Sequence, residues 1–113
     1  METENIMLKA ILDAVPFPIV FVDTDFVIRY LNKQAEERYY RQLGYQDLPG
    51  NSLLQYHKPA SQEKIKALVE QIAKEKKEIF LKVNQYQENV FVVPVFDREN
   101  RFLGFFERFE KLK

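Results

Sequence analysis

The sequence predicts an α+β fold: a five-stranded antiparallel sheet with helices on one face, preceded by an N-terminal amphipathic helix. Two observations lead to this class. The spacing of apolar residues changes from the helical to the strand period after Lys77, and the strand-like segments are joined by short turns or by one helical excursion, which favours antiparallel pairing. The length of 113 residues fits one domain. We therefore expect a single domain over residues 1–113, with the N-terminal helix at about 4–15 and the core at about 17–110.

The composition and charge of the chain exclude several classes of function. Seventeen basic and seventeen acidic residues cancel, so no long-range field draws the chain to nucleic acid. Because cysteine is absent, the chain has no disulfide, thiolate nucleophile or cysteine-based metal site. The first residues are polar and acidic, unlike a secretory signal, and no apolar run reaches the ~18 residues of a membrane span. We expect a cytoplasmic protein that binds neither nucleic acid nor membrane.

The first predicted element is an amphipathic helix from Glu4 to Val15. Thr3 is suited to cap its start, and Pro16 ends the helical pattern. Its apolar residues recur at helical spacing and form one stripe, which consists of Leu8, Ile11, Leu12 and Val15. This stripe needs a surface to pack against.

The next elements are a hairpin and a short helix. The hairpin strands are Ile19–Asp23 and Phe26–Leu31, joined by a turn rich in aspartate. Asn32 is expected to cap the following helix, which Gly44 ends. The predicted inward stripe of this helix is Ala35, Tyr39 and Leu43.

An irregular stretch and a longer helix follow. No period persists over Tyr45–Pro59, whereas Ser61 is expected to cap a helix that continues to about Lys77. One apolar face of this helix is formed by Ile65, Leu68, Val69 and Ile72.

Three strands complete the chain as a meander over Ile79–Asn84, Val90–Phe96 and Phe102–Phe109. In the middle strand, apolar residues occupy both parities, so both faces of the sheet require cover. The helices of the central segment can cover only one face. The other must be covered by the N-terminal helix, by a second subunit or by both, which predicts a homodimer with Leu8, Ile11, Leu12 and Val15 in its interface.

The order of short motifs resembles a PAS domain, a small sensor module common in bacterial signalling proteins. The residues that carry the resemblance are Asn32–Glu36, Leu43–Tyr45, Leu48–Gly50, Leu53–Leu54, His57–Pro59, Pro94–Asp97 and Leu103–Phe105. Asn100 stands in the last turn where this family often has glycine, and asparagine tolerates the positive φ required there. The resemblance implies a non-enzymatic sensory module of signal transduction that binds a small ligand or a partner and relays the event through a dimer interface.

The candidate ligand site follows from the resemblance and from the placement of polar groups among apolar ones. A small apolar or aromatic molecule is the expected ligand. The candidate pocket residues are Tyr30, Tyr39, Tyr56, His57, Asn84 and Tyr86. The sequence names no cofactor.

Two alternatives remain at the level of sequence. In the first, His57 ligates haem iron in a gas or redox sensor, whereas the structural interpretation makes His57 a corner of the fold. In the second, the chain is a small cone-shaped α+β enzyme. That function needs an acid–base residue in an apolar pocket, and the sequence identifies none. No other metal site is predicted, because Asp23 and Asp25 fit a strand turn.

Overall fold

The computed structural model describes residues 2–112, in which helices cover one face of a five-stranded antiparallel sheet. The helical elements are α1 (Glu2–Ala14), α2 (Lys33–Glu36), a π-helix (Glu37–Gln42), a 3₁₀-helix (Leu53–Tyr56) and α3 (Pro59–Glu75). The strands are β1 (Val20–Asp23), β2 (Ile28–Leu31), β3 (Ile79–Val83), β4 (Glu88–Phe96) and β5 (Phe102–Lys111), in the order β2-β1-β5-β4-β3. The predicted α+β class, strand number and antiparallel pairing are confirmed.

The core lies between the helices and the face of the sheet that we call the inner face. Val90 and Val92 of β4 are 1% and 3% exposed on this face. The alternate residues of β4, Val93 among them, remain partly exposed on the outer face. The core cluster consists of Val22, Ile28, Leu31, Ala35, Leu48, Val69, Ile72, Val92 and Phe105. Apolar residues of β4 therefore lie on both the inner and the outer face of the sheet, as predicted.

A β-bulge in the first hairpin changes which side chains face the core. Val22 pairs with Ile28, whereas Phe21 pairs with Tyr30, so Arg29 has no partner in β1. The extra residue lets Ile28 face inward and turns Tyr30 to the outer face. Tyr30 and Phe21 therefore lie side by side, away from the helices.

The helix that begins after Asn32 does not keep one helical period, and the predicted stripe is wrong at its end. Ala35 is fully buried as expected, but residues 37–42 form a π-helix. Because a π-turn holds more residues than an α-turn, the following side chains rotate relative to the core. Leu43 is consequently 42% exposed, and Tyr40 packs against the core instead.

Two predicted helix caps are also wrong. Helix α3 begins at Pro59, whose fixed φ suits the first helical position, so Ser61 lies inside the helix. Helix α1 begins at Glu2, which places Thr3 within it. In contrast, Asn32 caps α2 as predicted, and Asn100 adopts a φ of 70° in the last turn.

Gly104 is required where the two halves of the sheet join. It pairs with Asp23 in the β1–β5 pairing, which joins the β1–β2 hairpin to the β3–β5 meander. Its φ is 144°, and a Cβ atom there would overlap the carbonyl oxygen of Val22 and lie 2.9 Å from the Cα of Asp23. A side chain at this position would separate β1 from β5.

We predict that Gly104→Ala lowers the free energy of unfolding by about 3 kcal/mol, because backbone strain and steric overlap add at this position. Gly44→Ala is the matched control: Gly44 also has a positive φ, of 79°, but nothing lies within 4 Å of the added Cβ. Urea denaturation of both variants measures the difference. Equal losses in the two variants would show that the close approach of β1 and β5 does not depend on Gly104.

Candidate functional site

The side chain of Asn32 connects three elements at one point. It is fully buried and makes four hydrogen bonds: Oδ1 accepts from the amides of Ile19 and Ala35, and Nδ2 donates to the carbonyls of Leu12 and Phe17, at 2.9–3.1 Å. These partners belong to the end of α1, the segment before β1 and the first turn of α2. Asn32 therefore holds the C-terminal end of α1 against the start of α2.

A second bond supports the same junction. The carboxylate of Asp13 in α1 accepts from the backbone amide of Lys33 at 2.8 Å. A negative charge at the first turn of α2 also suits the helix dipole. The C-terminal end of α1 is thus fixed to α2 by two side chains.

The rest of α1 projects from the fold with its apolar side unpartnered. None of its described residues is buried, and Leu8 and Ile11, on one side of the helix, are 47% and 56% exposed. Of the four predicted interface residues, Leu8 and Ile11 are exposed, whereas Leu12 and Val15 are partly buried near the junction.

An apolar groove of about 380 Å³ continues from α1 onto the outer face of the sheet. It is lined by Leu12, Ile19, Phe21, Tyr30, Val95 and Phe106. Tyr30 supplies the one hydroxyl, and burial, Asp13 and Glu36 raise its pKa. This groove and the exposed side of α1 form a single unpartnered apolar surface, which we call the outer surface.

On the inner face, burial changes the pKa of two titratable groups, Tyr39 and Glu107. Tyr39 extends from the π-helix towards the sheet and packs against the core. Burial, followed by the negative charge of Glu107, raises the pKa of its hydroxyl. Burial also raises the pKa of the Glu107 carboxyl, an effect that Lys82 of β3 partly offsets.

The 3₁₀-helix places two further candidates near this region. Tyr56 packs against the core, and its hydroxyl accepts a hydrogen bond from Asn51 at 3.2 Å. Its ring lies edge-on to that of Tyr45, 5.5 Å away. His57 follows it and is exposed, and partial desolvation and then the ammonium of Lys82 lower its pKa.

The remaining two candidates, Asn84 and Tyr86, belong to the β3–β4 turn. Asn84 Oδ1 accepts from the amides of Tyr86 and Glu88, both at 3.0 Å, so it shapes the turn. Arg38 of the π-helix stacks 4.2 Å from the centre of the Tyr86 ring and pairs with both carboxylate oxygens of Glu88 at 3.1 and 3.3 Å. Although burial disfavours its charge, hydrogen bonds from Arg38 and Asn84 hold the pKa of Glu88 below its ordinary value.

The six predicted pocket residues thus occupy three places. Tyr39, Tyr56 and His57 belong to the helical segment opposite the inner face, Asn84 and Tyr86 to a turn, and Tyr30 to the outer surface. Glu107 is a candidate that the sequence analysis missed. Its signal was available in the parity of β5, because it alternates in step with Phe105 and Phe109.

The surroundings of His57 do not fit haem. A haem ligand points into an enclosed apolar space, whereas His57 is exposed and lies near the charged Lys82. In the described part of the chain, no group of three or more acidic or histidine side chains could hold a metal ion. No helix among residues 2–112 has the length and apolar character that crossing a bilayer demands.

A family model described as PAS fold matches residues 12–112, and the chain therefore belongs to the PAS fold family. No match was found among curated proteins. The fold is similar to that of a C-terminal domain from Streptococcus mutans, at 22% identity and a TM-score of 0.73, over 94% of this chain and 83% of that one.

Two other solved structures are similar over most of their length. One is a sensory box sensor histidine kinase from Vibrio cholerae, at 18% identity and a TM-score of 0.64, over 99% of this chain and 94% of that one. The other is the Aer2 receptor from Vibrio cholerae, described as a dual PAS-heme oxygen sensor, at 16% identity and a TM-score of 0.59, over 85% of this chain and 94% of that one. These likenesses establish the fold.

We predict that Asn32→Ala lowers the free energy of unfolding by about 3 kcal/mol or more, because it removes a helix cap and leaves buried backbone groups without partners. Asn89→Ala is the control, since Asn89 is only partly buried and its side chain makes no hydrogen bond to the described residues. Chemical denaturation gives both values. A loss no larger than that of Asn89→Ala would contradict the role of Asn32 as a structural junction.

A second prediction concerns the pH dependence of stability. The pKa of Glu107 lies above its ordinary value of 4.5 in the folded state. At pH values between its unfolded-state pKa and its folded-state pKa, the folded chain therefore binds more protons than the unfolded one. Stability should therefore fall as pH rises through this window, and Glu107→Gln should remove that fall. Denaturation curves collected across the window test this.

Glu70→Gln, at an exposed position of α3, is the control for the loss of one carboxylate. We expect its stability to follow that of the unchanged protein at every pH. Parallel curves for the unchanged protein and Glu107→Gln would show that the carboxyl of Glu107 is solvated normally in the folded state.

Proposed function

We propose that this chain is a non-catalytic sensory module of signal transduction that acts as a homodimer, with a small apolar or aromatic ligand bound between its helical segment and the inner face. The observation that carries the proposal is the outer surface. Leu8 and Ile11 are 47% and 56% exposed on one side of α1, and the apolar groove that Leu12 of the same stripe lines adjoins them. A surface of this kind on a small soluble fold is typical of an interface.

The partner that suits this surface is a second copy of the chain. The net charge of zero gives two copies no overall repulsion. The apolar side of α1 and the groove lie next to each other, so they form one patch that can contact the same patch on a second copy, as in a twofold dimer. The similarity to a sensory box sensor histidine kinase agrees with a role in signalling.

The ligand part of the proposal is supported by the aromatic wall opposite the inner face. The ring of Tyr45 lies between those of Tyr39 and Tyr56, with ring centroids 6.5 Å from Tyr39 and 5.5 Å from Tyr56. Binding sites for small molecules are typically apolar and aromatic with a few placed polar groups. The π-helix that carries Tyr39 also suits a functional wall, because π-turns are concentrated at functional sites.

A relay from ligand to dimer can pass through Asn32. A ligand that favours one position of the π-helix would bias α2, and the side chain of Asn32 bonds both α2 and the end of α1. A shift in the populations of the π-helix positions would then reach the outer surface without a change of fold.

The haem-sensor alternative gains no support from the exposed position of His57, although one similar structure is described as a heme oxygen sensor. The enzyme alternative has one matching feature, the raised pKa of Glu107. Catalysis by general acid and base needs a second group in hydrogen-bond reach, and Glu107 has no such bond to any residue within 2–112. We therefore retain the sensory proposal.

The dimer is tested by Ile11→Glu, which places a charge on the exposed apolar side of α1. We expect the unchanged protein to be a dimer at tens of micromolar and the variant to be at least tenfold weaker in self-association, since burying an unpaired carboxylate is costly. Size-exclusion chromatography with light scattering measures both.

Ala10→Glu is the matched control, because Ala10 is exposed on the same helix but lies roughly 160° around its axis from both Leu8 and Leu12. This variant should dimerise as the unchanged protein does. A folded monomer for the unchanged protein, or equal weakening by both charges, would contradict the proposed interface.

A further inference from the structure

We propose that Glu107 anchors a protonated amine on the ligand of this module, so that the ligand class is a small aromatic amine. This inference rests on the proposed ligand position between the inner face and the helical segment, and it adds the charge and donor chemistry of the ligand. The three steps that lead to it are the direction of the Glu107 side chain, its lack of a partner and its accessibility.

The register of β5 places the carboxylate on the inner face. Glu107 pairs with Val92, which is 3% exposed in the core, and partners directly opposite in an antiparallel pair share one face. Phe105, two residues before it, also belongs to the core, and Phe109, two residues after it, packs against Arg38 of the π-helix and Phe17 of the segment before β1. A carboxylate thus interrupts an aromatic row.

This carboxylate has no partner among residues 2–112. Among residues 2–112 it takes part in no hydrogen bond and in no ion pair within 4.0 Å. The nearest cation that affects it is Lys82, which pairs with Val90 on the same face and is exposed. An ionised carboxylate that is partly desolvated and has no partner is unfavourable, so the site gains most from a cation.

The carboxylate is nevertheless accessible to a small molecule. Every fully buried side-chain polar atom of the described residues has a hydrogen-bond partner. Because Glu107 is only partly buried and has none, its oxygens retain accessible surface. A ligand amine can reach them, and a charge-assisted hydrogen bond there is roughly twice as strong as a neutral one.

Tyr39 defines the remainder of the ligand. The negative charge of Glu107 raises the pKa of the Tyr39 hydroxyl, and the Tyr39 ring begins the aromatic row of Tyr45 and Tyr56. An aromatic ring attached to the amine would stack or pack edge-on against these rings. An anionic ligand, in contrast, would be repelled by Glu107.

The experiment compares two probes of matched shape, 2-phenylethylamine and 2-phenylethanol, by NMR titration of the isotope-labelled full chain. We expect the amine to bind roughly tenfold more tightly than the alcohol, and Glu107→Gln to abolish this preference while the affinity for the alcohol stays within about twofold. Dispersed spectra establish that each variant is folded.

The pH dependence of binding gives a second readout. Between about pH 5 and pH 8 the amine stays protonated, because its pKa lies near that of lysine, about 10. Its affinity should therefore rise with pH up to the folded pKa of Glu107 and then level, whereas that of the alcohol should not rise. The other titratable or charged groups around this site are Tyr39, Lys82, His57, Arg38, Tyr86 and Glu88, and Glu107→Gln should remove the rise.

Lys82→Gln is a second variant that does not alter the anchor itself. Removing the competing cation should tighten amine binding by a few fold, so weaker binding in this variant would contradict the inference. Equal affinity for amine and alcohol, unchanged in Glu107→Gln, would overturn the role of Glu107 and leave the ligand site of the proposed function standing. Binding of neither probe would overturn the inference, while the dimer is judged separately by light scattering.

Discussion

The side chain of Asn32 is the interaction on which the arrangement of the molecule depends. One amide group of modest size bonds the end of α1, the segment before β1 and the first turn of α2, and all its hydrogen-bonding capacity is used inside the protein. In a buried position each of these bonds is costly to lose, because the backbone group left behind has no water to replace it. The helix that leaves the fold and the helix that lines the inner face are therefore held in one fixed relation.

The fixed position of α1 relative to α2 links two surfaces on opposite faces of the sheet. The outer surface is apolar and unpartnered, and the inner face carries a carboxylate within an aromatic row. Glu107 is unfavourable for stability, since burial opposes its ionisation. A residue that weakens the fold at the place where a ligand is proposed agrees with the general finding that functional sites are not optimised for stability.

Several features were predictable because they depend on local chemistry. The cap at Asn32, the positive φ at Asn100 and the two apolar parities of β4 follow from residue type and period alone. The exposure of Leu43 was not predictable, because no residue type in the sequence marks the π-helix that turns its side chain outward. The same holds for Tyr30, which a single bulged residue transfers to the outer face.

By itself, the sequence determined the α+β class, the five antiparallel strands and the family, since periodicity and short motifs are properties of the chain within a few residues. Tertiary structure alone decided which polar groups meet. Asn32 bonds Leu12 across twenty positions and Arg38 bonds Glu88 across fifty, and such contacts arise from strand order and register. A shift of one residue in a strand reverses the face of every side chain after it, so no local pattern can fix them.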